Sequence, residues 1–96
     1  MTPLETLRSR KPALLKIARK YGVRNIRVFG SVAQGGAKRG SDIDLLVGME
    51  RGRSLIDLGG FQYYASELLG ARVDPVLETS VHPKLRKRIF GEAQPL

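Results

Sequence analysis

The sequence contains no cysteine among its 96 residues. Disulfide bonds and thiolate metal sites are therefore excluded, and we expect any metal site to be built from oxygen ligands. Long apolar runs are also missing, because no segment approaches the roughly 20 apolar residues of a membrane span and the amino terminus lacks the apolar stretch of a signal peptide. These absences predict a cytoplasmic protein.

Acidic residues are absent from a long interval near the amino terminus. No aspartate or glutamate occurs between Glu5 and Asp42, whereas that interval contains ten lysines and arginines. The net charge of +8 suits an anionic partner, which could be a nucleotide, a nucleic acid or the acidic face of a protein. The acidic residues that follow this interval are therefore candidates for a specific role.

The predicted elements alternate between helices and strands. Helices are expected from Thr2-Pro3 to Tyr21 with an interruption or restart at Pro12, from a Ser54 cap to Leu69, and from Pro83 to about Glu92. Strands are expected at 26–29, 43–47 and 71–77, and Pro75 suggests a sheet edge or a bulge in the last strand. Residues 1–96 are therefore expected to form one α/β domain with a modest core.

The helix predicted after Ser54 combines an apolar face with two adjacent glycines in its interior. Its apolar face is expected to consist of Leu55, Leu58, Phe61, Ala65, Leu68 and Leu69. In the last helix, Leu85, Ile89 and Phe90 are expected to face inward. Gly59-Gly60, in the interior of the helix after Ser54, cost about 1 kcal/mol each relative to alanine. A kink, or a close approach to the sheet or to a partner, would explain them.

Asp42 and Asp44 belong to an apolar, β-branched run that predicts a buried strand. Side chains two residues apart on a strand share one face, so the two carboxylates are expected to project together, roughly 6 to 7 Å apart. They repel each other unless a cation lies between them. Magnesium prefers hard oxygen ligands and is often held by carboxylates together with substrate phosphates, which makes it the natural candidate.

Gly30-Ser31 follows the first predicted strand and opens a helical turn through Ala33 and Gln34. Ser31 can act as the N-cap, with Gln34 completing a capping-box pattern. The free N–H groups of a helix start bind phosphate, and a glycine allows the backbone to come close. The segment therefore predicts a phosphate contact at Gly30 and Ser31.

The spaced Gly30-Ser31 and Asp42-x-Asp44 pair resembles the DNA polymerase beta superfamily of nucleotidyltransferases. More narrowly, the chain resembles the minimal nucleotidyltransferase family, whose small members are often paired with a helical HEPN partner in prokaryotic toxin-antitoxin modules. The matching segments are 22–31, 41–47 and 68–76, and the spaced pair is the specific part. The resemblance implies a DNA polymerase beta-like α+β fold, with a small mixed sheet flanked by helices.

The resemblance also implies a site and a reaction. Asp74 matches a third carboxylate on a neighbouring strand. Asp42 and Asp44 would hold the magnesium ion that is bound to the nucleotide, and all three aspartates would hold a second, catalytic ion. Larger relatives carry extra domains for the acceptor, so we expect this chain to depend on a separate macromolecule. The implied activity is transfer of AMP from ATP to a hydroxyl, most plausibly a tyrosine of a HEPN toxin, with the chain acting as an antitoxin.

Gln34 departs from the family pattern, in which an arginine often follows Gly-Ser-x-Ala. A fixed positive charge is then lost, and Lys38 or Arg39 could replace it. This departure keeps open a non-catalytic antitoxin that neutralises its partner by binding alone. A third hypothesis is a nucleic-acid-binding module that uses the basic run from Lys84 to Arg88.

The remaining polar and aromatic residues have simpler interpretations beside their functional ones. Ser41 is a candidate phosphate contact, but a local turn hydrogen bond explains it more simply. Asp57 is expected to stabilise a helix start, and His82 to be a loop residue before Pro83. Tyr63 and Tyr64 are expected in the core or on a partner-binding face.

Overall fold

The computed structural model describes residues 2–35 and 41–96. Within these residues the chain forms five helices and four strands, which alternate after two consecutive helices at the start. The helices are α1 (Pro3–Ser9), α2 (Lys11–Tyr21), α3 (Gly30–Ala33), α4 (Leu55–Leu69) and α5 (Pro83–Glu92). The strands are β1 (Val23–Phe29), β2 (Ile43–Met49), β3 (Val73–Leu77) and β4 (Gln94–Pro95).

Two helix starts follow the predicted capping patterns. The Thr2 hydroxyl accepts a hydrogen bond from the Glu5 N–H at 3.2 Å, and the Glu5 carboxylate accepts one from the Thr2 N–H at 3.0 Å. Ser54 and Asp57 form the same reciprocal pair at the start of α4. The predicted interruption near Pro12 falls at Arg10, because Pro12 lies in the first turn of α2. In the described part of the chain, no helix has the length and apolarity needed to span a bilayer.

The strands form one mixed sheet in the order β3-β2-β1-β4. β2 and β3 run parallel, whereas β1 runs antiparallel to both β2 and β4. This arrangement confirms the predicted mixed sheet, and it confirms the edge position that Pro75 indicated for β3.

The outer edge of β3 is closed by side chains of α4. The Val73 N–H donates to the Ser66 hydroxyl at 2.9 Å, and the Gln62 amide donates to the Val73 carbonyl at 2.9 Å. Pro75, the next residue whose backbone points outward, has no N–H to present. The backbone groups at this edge are therefore largely satisfied or absent.

Alternation along β2 gives the sheet two different faces. Ile43, Leu45 and Val47 are buried in the main apolar core with residues of α2 and α4, and their side of the sheet is the core face. Asp44 and Leu46 point to the opposite side, the carboxylate face. Leu46 is also fully buried, although it lies outside that core. The single strand β2 therefore contributes to two separate environments.

Several sequence-based expectations need correction. β1 begins at Val23 rather than Ile26, and β4 was not expected, because a two-residue strand carries no readable pattern. Leu55 is 74% exposed and Leu85 is 42% exposed, so the inward orientation expected for both is wrong. α4 is unbroken across Gly59-Gly60, so the two glycines do not divide the helix.

Candidate functional site

The three predicted carboxylates come from two adjacent parallel strands. Asp44 is paired directly with Asp74 in the register of β2 and β3, and Asp42 precedes the first residue of β2. Neighbouring strands lie about 4.8 Å apart, so directly paired side chains on one face are close neighbours. The structure thus brings Asp44 and Asp74 together on the carboxylate face, with Asp42 at the same end of the sheet.

The electrostatics of Asp44 reflect this crowding. Burial raises the pKa of the Asp44 carboxyl above its ordinary value of 3.8, and the negative charges of Asp74 and then Asp42 raise it further. Both kinds of contribution disfavour the ionised form. A cation among the three carboxylates would relieve the repulsion, so the electrostatics fit a cation site.

The ligand chemistry also fits magnesium, because the three aspartates offer only hard carboxylate oxygens. Their side chains share one end of the sheet without forming a closed ligand set. Among residues 2–35 and 41–96, no group of three His, Cys, Asp or Glu side chains is already spaced to hold a metal ion. Asp42 is exposed and precedes β2, so side-chain rotation is the simplest way to complete such a set.

Gly30 brings the backbone of the preceding strand against Asp44. Phe29, the last residue of β1, is paired with Asp44. Gly30 follows with a φ of 73°, a left-handed value that glycine adopts without strain. A Cβ at this position would lie 2.6 Å from Oδ2 of Asp44. Position 30 therefore favours glycine both for its conformation and for its close approach to the carboxylate.

The helical turn after Gly30 differs from its predicted form. α3 begins at Gly30, whose carbonyl already accepts a hydrogen bond from the Gln34 N–H at 3.3 Å. Phe29 is the N-cap and Gln34 the C-cap, so the predicted capping box between Ser31 and Gln34 is wrong. The helix starts two residues earlier than expected, because the turn at Gly30 is itself part of it. Ser31 is exposed at this turn.

The other residues predicted near the site lie in or beside the loop between α3 and β2. Ser41 is half-buried and directly precedes Asp42, and Gln34 is exposed at the end of α3. Lys38 and Arg39, the predicted replacements for the family arginine, lie outside the described residues. The phosphate contacts expected at Gly30, Ser31 and Ser41 stay predictions.

An ion pair on the carboxylate face was not identified from the sequence. The guanidinium of Arg27 donates a hydrogen bond to Glu78, and both side chains are largely buried. The Phe90 ring of α5 lies 5.4 Å from the Arg27 guanidinium and 4.4 Å from that of Arg86. Arg86 also donates to the Glu78 carbonyl at 3.1 Å. This cluster attaches α5 to the carboxylate face of the sheet.

The sequence contained one signal for this cluster. On β1, Arg27 lies between Ile26 and Val28, which both belong to the core. Val28 is paired with Leu45, and the pairing of β1 with β2 is irregular just before Arg27. A charged residue at this position indicates a second, partly polar face that needs a counter-charge. Glu78 could not be assigned as that counter-charge without the strand register.

For Asp57 and His82 the structure agrees with the simpler of two interpretations. Asp57 belongs to the capping box of α4. His82 is the N-cap of α5, and its Nδ1 accepts a hydrogen bond from the Lys84 N–H at 3.1 Å. Tyr63 and Tyr64 are exposed rather than in the core.

Comparison with known protein families gives a match over most of the chain. The family described as nucleotidyltransferase domain matches residues 11–96. A relative named protein adenylyltransferase MntA, from Thermococcus cleftensis, is 40% identical over 93 residues, which cover 96% of this chain and 94% of the relative.

Solved structures give a consistent result. A structure described as that of a minimal nucleotidyltransferase superposes with a TM-score of 0.85 at 47% identity, covering 97% of this chain and 95% of the other. A toxin-antitoxin complex with AMP-PNP contains a chain that superposes with a TM-score of 0.73 at 24% identity, covering 88% of this chain and 70% of that one. The second similarity extends the fold to more distant proteins.

Proposed function

Because the chain belongs to the nucleotidyltransferase domain family, we propose that it transfers AMP from ATP to a hydroxyl group in a magnesium-dependent reaction. The observation that carries this proposal is the direct pairing of Asp44 with Asp74, with Asp42 at the same end of the sheet and Gly30 packed against Asp44. These residues place carboxylates beside a backbone turn with free N–H groups. Both a cation and a triphosphate have chemically suitable neighbours there.

Each residue has a distinct part in the proposed reaction. Asp42, Asp44 and Asp74 would hold magnesium, which when bound neutralises phosphate charge and favours ionisation of the attacking hydroxyl. The backbone at Gly30 and Ser31, with the Ser31 and Ser41 hydroxyls, would donate hydrogen bonds to the triphosphate. The acceptor oxygen forms a bond to the α-phosphorus as the bond from that phosphorus to the bridging oxygen breaks, and pyrophosphate leaves. Asp74 would also accept the hydroxyl proton.

The acceptor is proposed to be a tyrosine of a HEPN-family toxin, which this chain would silence as an antitoxin. Two findings support a macromolecular acceptor. A relative is named protein adenylyltransferase, and a fold neighbour was solved in a toxin-antitoxin complex with a nucleotide analogue. Asp42 is exposed at the end of the sheet that carries the carboxylates, so a large substrate has access to this end.

Transfer of label tests the proposal. Incubation with α-labelled ATP, magnesium and the protein encoded beside this chain should label that protein, and Asp42→Ala should abolish the labelling. Asp57→Ala is a matched control, because Asp57 is an aspartate of α4 outside the carboxylate site, and it should label normally at a temperature where it stays folded. Absence of transfer with every nucleoside triphosphate and the cognate protein would contradict the proposal.

Gln34 supports a second candidate, an antitoxin that acts by binding alone. It is a neutral, exposed residue at the end of α3, beside the expected triphosphate. Rescue of toxin-expressing cells separates the two candidates. Asp44→Asn should abolish rescue if transfer is needed, and it should leave rescue intact if binding is sufficient.

A further inference from the structure

The two adjacent glycines of α4 have different structural roles. A Cβ at Gly60 would lie 2.4 Å from Cε1 of Tyr21, so Gly60 lets the tyrosine ring pack against the helix backbone. A Cβ at Gly59 would meet no atom within 4 Å. Glycine inside a helix is less stable than alanine. Packing against Tyr21 therefore explains Gly60, whereas no contact among the described residues explains Gly59.

Gly59 lies at the centre of an exposed stripe on α4. The stripe consists of Ile56, Gly59, Tyr63 and Glu67, which recur at helical spacings of three and four residues. Ile56 is 86% exposed and Tyr63 is 60% exposed. Gly59, Tyr63 and Glu67 also line a shallow groove. α4 buries Phe61 and Ala65 on its inner side and exposes Ile56 on its outer side, so it carries apolar residues on both. Such a distribution is typical of a helix that is covered by protein on both sides.

We propose that the stripe packs against the stripe of a second copy of this chain, antiparallel about a two-fold axis. In this dimer Tyr63 of each copy inserts at Gly59 of the other. A large projecting side chain and a gap one turn away on the same helix are self-complementary, as a two-fold interface requires. The missing side chain at Gly59 allows the helix axes to approach to about 8 Å, the short end of the usual range.

The charges of α4 agree with this register. Pairing Gly59 with Tyr63 sets Ile56 opposite Ser66, Asp57 opposite Ala65, and Glu67 opposite Leu55. Asp57 and Glu67 are the only charged residues of α4, and neither faces a like charge. Glu67 instead lies at the first turn of the opposing helix, whose dipole favours an acidic neighbour.

The dimer leaves both candidate active sites open. α4 packs on the core face, whereas Asp44 and Asp74 lie on the carboxylate face. The two carboxylate faces therefore point away from each other. Two acceptor proteins could bind at once, one to each copy.

Disulfide trapping tests the register, and the absence of cysteine makes single-cysteine variants unambiguous. A mixture of Gly59→Cys and Tyr63→Cys should form the mixed disulfide dimer faster than either variant forms its own dimer. Equal rates in all three samples, or fastest dimerisation by Gly59→Cys alone, would overturn the register.

Sedimentation equilibrium tests the interface itself. The wild-type chain should show a reversible monomer-dimer equilibrium, and Ile56→Lys or Gly59→Lys should raise the dissociation constant at least about tenfold. Matched controls are Leu85→Lys and Gly91→Lys, the same changes on exposed positions of α5, and they should leave the constant unchanged. Circular dichroism checks that each variant folds. A monomeric wild type, or equal weakening by the controls, would overturn the proposal.

Discussion

The two faces of the central sheet differ sharply, although they alternate along the same strands. On the core face, Leu45 and Val47 are completely buried among apolar neighbours. On the carboxylate face, Asp44 is partly buried beside two further carboxylates that raise its pKa. The core face stabilises the fold, whereas the carboxylates at one end of the other face bring like charges together and destabilise it. Stability and activity should therefore respond to different substitutions along β2.

The largest expected effect is on the carboxylate face. Asp44→Asn removes a proposed magnesium ligand that contributes several kcal/mol to the transition state, so the transfer rate should fall by about three orders of magnitude. The rate with a labelled nucleotide and the acceptor measures this effect. Unchanged circular dichroism would show that the loss is chemical, whereas a rate within about threefold of wild type would contradict the ligand role.

Leu45→Ala, one residue along the same strand, should have the opposite profile. Loss of the buried side chain should lower the free energy of unfolding by about 2 to 5 kcal/mol. Transfer per folded molecule should stay near the wild-type value. Urea unfolding measures the change, with Leu85→Ala as the control on an exposed leucine, where we expect a change of at most about 0.5 kcal/mol.

Gly30→Ala should affect both properties, because Gly30 joins β1 to the site. The left-handed backbone should destabilise the fold by about 1 to 3 kcal/mol. The added Cβ would also displace Asp44, whose Oδ2 it would meet at 2.6 Å. Thermal unfolding and transfer assays should therefore both show a loss. A loss of stability with a normal transfer rate would contradict the predicted displacement.

The Arg27–Glu78 pair should contribute a smaller amount. Glu78→Gln removes a charge from a largely buried hydrogen-bonded pair, and we expect a loss of about 1 to 2 kcal/mol in unfolding free energy. A double-mutant cycle with Arg27→Gln measures the coupling. The exposed pair of Arg53 and Glu50 is the control, for which we expect about 0 to 1 kcal/mol. Equal coupling energies in the two pairs would show that the Arg27–Glu78 pair stabilises the fold no more than an exposed ion pair does.

The smallest expected effect is a pH dependence in metal-free buffer. Because burial, Asp74 and Asp42 raise the pKa of Asp44, the folded protein binds this proton more tightly than the unfolded chain does. The resulting stability is fully present below the ordinary pKa of 3.8 and is lost as the pH rises through the raised value. Asp44→Asn should therefore melt at a higher temperature than wild type at neutral pH, and the difference should shrink in acid. A difference in melting temperature that stays constant from acid to neutral pH would contradict the raised pKa of Asp44.

Local chemistry explains which parts of the fold were predictable. Thr2 with Glu5, and Ser54 with Asp57, form capping boxes whose residues are close in sequence. Pro75 indicated an edge strand because proline lacks the N–H that a central strand needs. The prediction that Asp42 and Asp44 share one face came from the two-residue repeat of a strand, and only Asp44 lies within β2. Each of these predictions depends on residues within a few positions of one another.

The remaining features depend on contacts between distant segments. Family resemblance implied that Asp74 lies on a strand next to that of Asp44. Their direct pairing was not predicted, since the residues alone do not give the register of two strands separated by α4. Glu78 could not be matched to Arg27 for the same reason. Leu55 fits the apolar pattern of α4 yet is exposed, because sequence periodicity does not show where the sheet ends. The start of α3 was misplaced by two residues, because capping residues locate helix ends only approximately.

The closed edge of β3 has a consequence for the behaviour of the protein at high concentration. An open edge strand is a template for strand addition and hence for aggregation. Here the strand that carries Asp74 lies at the sheet edge, yet Gln62 and Ser66 occupy the backbone groups of Val73 and Pro75 offers no donor. The strand that carries a proposed magnesium ligand is thereby protected from amyloid-like pairing. Enzymes engineered from this small fold should keep Gln62, Ser66 and Pro75 even where these residues do not affect transfer.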